Sequence, residues 1–116
     1  MAPDDRTDEL FRALGDPTRR RMMDLLAEHE SLTVTALSSY FPDLVRSGIS
    51  KHLMALREAG LVYATKKGRE QHYQVNAEAV QELLRPWVAR YERYWAPRFD
   101  RLKELAEAKE RERRSE

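Results

Sequence analysis

Residues 46–62 read RSGISKHLMALREAGLV. A histidine sits among leucines, with serines and a lysine beside it and a basic segment following. At about 100° per residue, Ile49, Leu53 and Leu56 fall within one narrow arc. Ser47, Ser50, Lys51 and Met54 face the opposite way. Gly48 and Ala55 lie on a flank and are small enough to admit another backbone or a phosphate. Over residues 46–57 the outward face thus carries one cation, two hydroxyls and no acid, whereas a helix meant only for solvent usually shows charges of both signs. Such a face suits a polyanion. Serine hydroxyls can bond phosphates or base edges, and Arg46 and Lys51 can reach phosphates or guanine. The plainer reading, a surface helix with chance serines, is weighed against this by what surrounds the stretch.

Upstream, Leu10, Phe11 and Leu14 predict a first helix over residues 5–14, ended by Gly15 and preceded by a loose end at residues 1–5. Asp16 and Pro17 then suit the N-cap and first turn of a second helix with Met22, Leu25 and Leu26 on its apolar face. EHES at 28–31 breaks that pattern. Thr33 can cap a short third helix burying Leu37, Tyr40 and Phe41 and stopped by Pro42. The quoted stretch is the fourth helix, starting between Asp43 and Ser47 and ending at Ala59-Gly60. Downstream, LVYAT, the turn KKGR and the alternating EQHYQV form a hairpin with a basic tip, which must pack on the helices because a lone hairpin is marginal in water. In EQHYQV, Gln71, Tyr73 and Val75 share one side; Glu70, His72 and Gln74 share the other. A helix, a short turn, a second helix and a hairpin carrying Lys66, Lys67 and Arg69 make a helix-turn-helix with a wing.

From Asn76 onward the chain is helical again. Val80, Leu83, Leu84, Trp87, Val88, Tyr91, Trp95, Phe99, Leu102 and Leu105 recur at threes and fours. Pro86 and Pro97 each remove a backbone donor and either kink this helix or divide it. The closing AKERERRSE has no apolar face and is expected to fray. So long an amphipathic helix on a chain of 116 residues has too little of its own protein to cover it. Its aromatic stripe points to a twin helix, with or without a small-molecule cavity beside it.

Charge nearly cancels over the whole chain, 21 basic residues against 20 acidic, so its distribution is the informative quantity. Residues 44–75 hold six basic side chains against two acidic ones, while residues 1–15 hold four acidic against two basic. The basic part is the fourth helix and the wing. The length fits one small domain. There is no cysteine, hence no disulfide and no thiolate metal site. No secretory signal and no run near the ~18 apolar residues of a membrane span is visible, which predicts a soluble, cytoplasmic protein.

LGDPTRRRMMDLL, SGISKHLMALREAGLV and KKGREQHYQVN together resemble the matching segments of the ArsR family of bacterial winged-helix repressors, over about residues 10–76. The ordered series is specific; no single segment would be. LRPWVARYERYWAPRFDRL is similar to the tryptophan-rich last helix of a metal-independent branch of that family. The resemblance implies a mainly α, winged helix-turn-helix fold with a two-stranded hairpin as wing and a long C-terminal dimerisation helix. It implies one domain over 1–116, with dimerisation helices at 5–14 and 77–112 and the helix-turn-helix plus wing over 33–75. Carried over, the DNA-reading positions are Arg46, Ser47, Gly48, Ser50, Lys51 and His52, with wing phosphate contacts at Lys66, Lys67 and Arg69. The homodimer seam would draw on Leu10, Phe11, Leu14, Trp87, Tyr91, Trp95, Phe99 and Leu102. One departure stands out. The family often has Ser or Thr two residues before Ser47, capping the reading helix; Val45 cannot cap, which leaves Asp43 from one turn earlier or Ser47 from inside.

The expected function is that of a dimeric repressor on an inverted-repeat operator, bound to double-stranded DNA. Induction would need an effector, such as a small molecule of unknown identity, that favours a misplaced dimer geometry. A protein-interaction winged helix and a non-specific architectural DNA binder are the alternatives. Metal sensing finds no ligand set: cysteine is absent, no histidine follows His72, and Glu78, Glu82, Glu92 and Asp100 alone make a poor transition-metal site. His29 and His72 are read as solvent-exposed, and His52 as either a phosphate contact or a bridge to a neighbouring helix. No cofactor is expected, and no enzyme: there is no glycine-rich phosphate loop and no Ser/His/acid set that these elements bring together.

Overall fold

The computed structural model describes residues 5–115, and for Asp5, Trp95 and Ala96 only the backbone. Of the loose end expected at residues 1–5, residues 1–4 lie outside the described residues, and Asp5 already opens a helix. The elements run α1 (Asp5–Leu14), α2 (Pro17–His29), α3 (Val34–Ser38), α4 (Arg46–Glu58), β1 (Val62–Lys67), β2 (Glu70–Val75) and α5 (Ala77–Ser115). The chain divides into two compact units, one ending at Leu83 and the other beginning at Leu84.

The first unit is a helical cluster closed by a hairpin. Local signals start its helices. The Asp16 carboxylate accepts from the backbone N–H of Thr18 at 2.8 Å and of Arg19 at 3.2 Å, with Pro17 in the first turn. Thr33 Oγ1 accepts from the N–H of Ala36 at 3.1 Å, and Asn76 Oδ1 from that of Ala79 at 3.2 Å. These caps satisfy donors that a helix start leaves free. Helix α2 ends at Glu30, whose φ of 66° and ψ of −51° belong to a tight turn closed by Ser31 N–H on the His29 carbonyl at 2.7 Å. Such a three-residue turn is rare and strained for a residue with a Cβ.

Leu10 and Ala13 of α1, Met22, Leu25 and Leu26 of α2, Leu37 and Phe41 around α3, and Ile49, Leu53 and Leu56 of α4 form the core, joined by Leu61, Val62 and Leu83. Helix α4 packs on α1, α2, α3 and β1, and truncating one of its buried leucines to alanine would cost roughly 2–5 kcal/mol. The Arg21 guanidinium lies 5.5 Å over the Phe41 ring. Tyr40, expected in the core, is only half-buried; its hydroxyl pairs with His29 Nε2 at 3.1 Å.

The hairpin is antiparallel, in register from Val62↔Val75 to Lys67↔Glu70. Gly68, at φ 64°, opens its two-residue connection, a position where positive φ favours glycine. The hairpin packs on the helices, β1 against α4 and β2 against α2 and α3, and a single residue before α3 adds a backbone anchor. Leu32 and Tyr73 exchange both backbone bonds, at 3.1 and 2.9 Å, so β2 gains a third, one-residue strand. His72, expected on the exposed face, is half-buried, paired across the ladder with Thr65.

The second unit belongs to α5. Helical structure passes through both Pro86 and Pro97, so the prolines do not divide it. It also runs to Ser115, past the expected fraying point. Arg114 and Glu110 form an i,i+4 ion pair at 3.6 Å, and Ala, Glu, Lys and Arg are strong helix formers. Val88, Tyr91, Leu102 and Leu105 are exposed along it, as are Trp87, Tyr94 and Phe99.

Candidate nucleic-acid interface

The site grows out of how α4 is held. Its inward stripe, Ile49, Leu53 and Leu56, has no accessible surface, so rotation of α4 about its axis is opposed by the whole core. That orientation leaves Arg46, Ser47, Lys51 and Met54 exposed and Gly48 and Ser50 half-buried at the edges of the outward face. Val45 is the N-cap and makes no side-chain capping bond. Neither Asp43 nor Ser47 supplies one, which answers the alternatives left by the sequence. A Cβ built on Gly48 would meet only Val45 Cγ2, at 3.9 Å, so the fold leaves space there.

The wing cations sit on the hairpin's far end. Lys66 and Lys67 are successive, so they point to opposite sheet faces, and Arg69 is in the connection itself; all three are exposed. Among the described residues, none of Arg46, Lys51, Lys66, Lys67 and Arg69 is held in an ion pair. Their charge is available to an external anion.

One feature was missed by sequence reasoning, and one alternative that it left open is met by the structure. The first is a cleft of about 180 Å³ in which the cations Arg46 and Arg69 meet Thr33, Thr35 and Gln71, with Tyr73 and Glu70 alongside. Helix start, reading helix and wing converge there, although Thr33 and Arg69 are over thirty residues apart in the chain. The hydroxyl and amide donors suit a phosphate backbone. The second is the seat of His52. Its Nδ1 accepts from Arg19 Nε at 3.2 Å, it is half-buried, and it does not share the outward face. This is the helix-bridging geometry, tying α4 to the start of α2. Beside it, burial tends to raise the Asp16 carboxyl, but the N–H bonds of Arg19 and Thr18, with the charges of His52 and Arg19, outweigh that and hold it below the usual 3.8.

The seam positions divide. Leu10 has no exposed surface and belongs to the protomer's own core. Leu14 is half-buried, and Phe11, Trp87, Tyr91, Phe99 and Leu102 are exposed. The Trp95 side chain lies outside the described residues. Trp87 and Tyr91 rings lie 4.9 Å apart, tilted by 54°. Among the described residues no three His, Asp or Glu side chains group to hold a metal, and no helix is long and apolar enough to cross a membrane.

Known proteins share this arrangement. Residues 16–64 match the profile of bacterial regulatory proteins of the arsR family, a span that contains α2 to α4 and the start of the hairpin. The uncharacterized HTH-type transcriptional regulator YuzN of Bacillus subtilis is 37% identical over 86 residues, 70% of this chain and 94% of the relative. An ArsR-like transcriptional regulator from Rhodococcus sp. RHA1 superposes with a TM-score of 0.67 at 30% identity, over 87% of this chain and 92% of that one. The homodimeric winged helix-turn-helix DNA-binding domain Mb0332 of Mycobacterium bovis, solved by solution NMR, superposes with a TM-score of 0.61 at 25% identity, over 79% and 92%. With fold, outward basic helix and wing in agreement, the chain belongs to the ArsR family of bacterial regulatory proteins and is a winged helix-turn-helix transcriptional regulator rather than an enzyme.

Proposed function

We propose that two copies of this chain bind an inverted-repeat operator in the cytoplasm and repress the gene beside it. The observation that carries the reading is the outward face of α4 from Arg46 to Met54, which holds no acid and whose cations, like those of the wing, are engaged in no ion pair among the described residues; the exposed Glu58 follows on the same face only in the last turn. Two symmetry-related α4 helices enter successive major grooves about one turn, ~10 bp, apart. Ser47, Ser50 and Lys51 address base edges there. Arg46, with Thr33, Thr35 and Arg69 around the cleft, and Lys66 and Lys67 hold phosphates. Gly48 provides clearance. His52 acts behind this surface, fixing α4 through Arg19. The homodimeric M. bovis relative and the exposed apolar stripe of α5 support pairing of two copies, with Tyr91, Leu102 and Leu105 central to the stripe. Phe11 and Leu14 are the first unit's apolar contribution. The ligand set for a metal is missing from the sequence, so regulation falls to an organic effector or a partner.

The test is selection of bound duplexes from a random pool at physiological salt. The expected result is enrichment of an inverted repeat. Binding without enrichment would leave an architectural role, and no retention a protein-interaction module. Within the enriched operator, Lys51→Ala is expected to lower affinity by ~1–3 kcal/mol relative to random DNA. An equal loss on both would make Lys51 a phosphate contact only.

A further inference from the structure

Met54 has no role in the core, although it sits in the middle of α4. The buried stripe of that helix is Ile49, Leu53 and Leu56, and Met54 is 60% exposed. It lies three and four residues after Lys51 and Ser50 and seven after Ser47, so these four side chains form one line along the helix. Three of them are polar and matched to base edges or phosphates; the fourth is a flexible thioether. A thioether is a poor hydrogen-bond partner. In the major groove the apolar feature that distinguishes one base is the C5-methyl of thymine.

Resting on the proposed operator-reading role, we infer that Met54 is a specificity-determining residue that packs against a thymine methyl in each half-site. Seven helical residues span about 10.5 Å at 1.5 Å each, and stacked base pairs rise about 3.4 Å. The thymine therefore belongs to a different base pair from the one addressed by Ser47. The long, unbranched side chain adapts to the groove floor where a branched one would be held off.

The experiment uses the full chain and the operator obtained by selection. Each thymine of a half-site is replaced in turn by deoxyuridine, which removes the methyl and leaves every hydrogen-bonding group in place. The same series is run with Met54→Ala, which favours helix and leaves the core untouched. At one thymine, deoxyuridine is expected to weaken the wild type about fourfold per half-site, the worth of one buried methyl group. Met54→Ala should be indifferent to that same change while keeping the wild-type response at every other thymine. The inference is overturned if no position loses its methyl effect in Met54→Ala, if the half-site facing α4 holds no thymine, or if Met54→Ala weakens operator and random DNA equally. Failure to enrich any operator is a different result, and it removes the operator-reading role itself.

Discussion

Gly48 stands in the first turn of α4, and the protein's own atoms do not require it. Its nearest neighbour to an added Cβ is 3.9 Å away, an ordinary contact, and glycine inside a helix costs about 0.5–1 kcal/mol relative to alanine. Gly48→Ala is therefore expected to raise unfolding stability by about that amount in a denaturant titration while lowering operator affinity. A stabilised variant with unchanged affinity would show that DNA does not approach this turn. Asp16 is the contrasting residue, a cap with a structural role. Asp16→Ala should cost about 1 kcal/mol. Because the folded carboxyl sits below its ordinary 3.8, its contribution is present above about pH 4 and fades as pH falls through the lowered value. Wild type and Asp16→Ala should thus differ in denaturation midpoint at pH 7, by a gap that narrows as pH falls below about 4.

At the scale of elements, the proposed reading gives α4 and the wing different jobs with the same charge. Helix α4 is locked by three fully buried side chains, so a substitution on its outward face is expected to leave the helix in place. The hairpin's base packs on α2 and α4 and is bridged to Leu32, while its lysines stand exposed at the far end, within reach of phosphates on the proposed reading. Replacing both Lys66 and Lys67 by alanine should leave the enriched sequence unchanged. The slope of log affinity against log salt should become shallower by about 0.9 for each phosphate that the wing no longer neutralises. A changed sequence preference in the double variant would move the wing from backbone to base contact. Helix α5 shows how an element outlasts its local penalties, continuing past Pro86 and Pro97 to Ser115.

For the whole molecule the decisive surface is the stripe on α5. Tyr91, Leu102 and Leu105 are 45%, 61% and 59% exposed, far more apolar surface along one helix than scattered exposure accounts for. Tyr91→Arg should shift sedimentation from dimer to monomer and weaken operator binding, since one half-site then holds alone. An intact dimer would place the seam elsewhere.

What could be read along the chain was what depends on near neighbours. Caps at Asp16 and Thr33, glycines at the positive-φ positions Gly60 and Gly68, and periods of two and 3.6 residues act within a few positions of themselves. They determined the elements, the outward face of α4 and the fold they build. The tertiary structure decided what distant residues share. It turned Leu10 inward, set His52 against Arg19 thirty-three residues away, completed the sheet with Leu32, and brought Thr33 and Thr35 to Arg46 and Arg69 in one cleft. Hydrophobic burial and backbone pairing choose such partners by fit across the folded core, and that fit leaves no periodic trace in sequence.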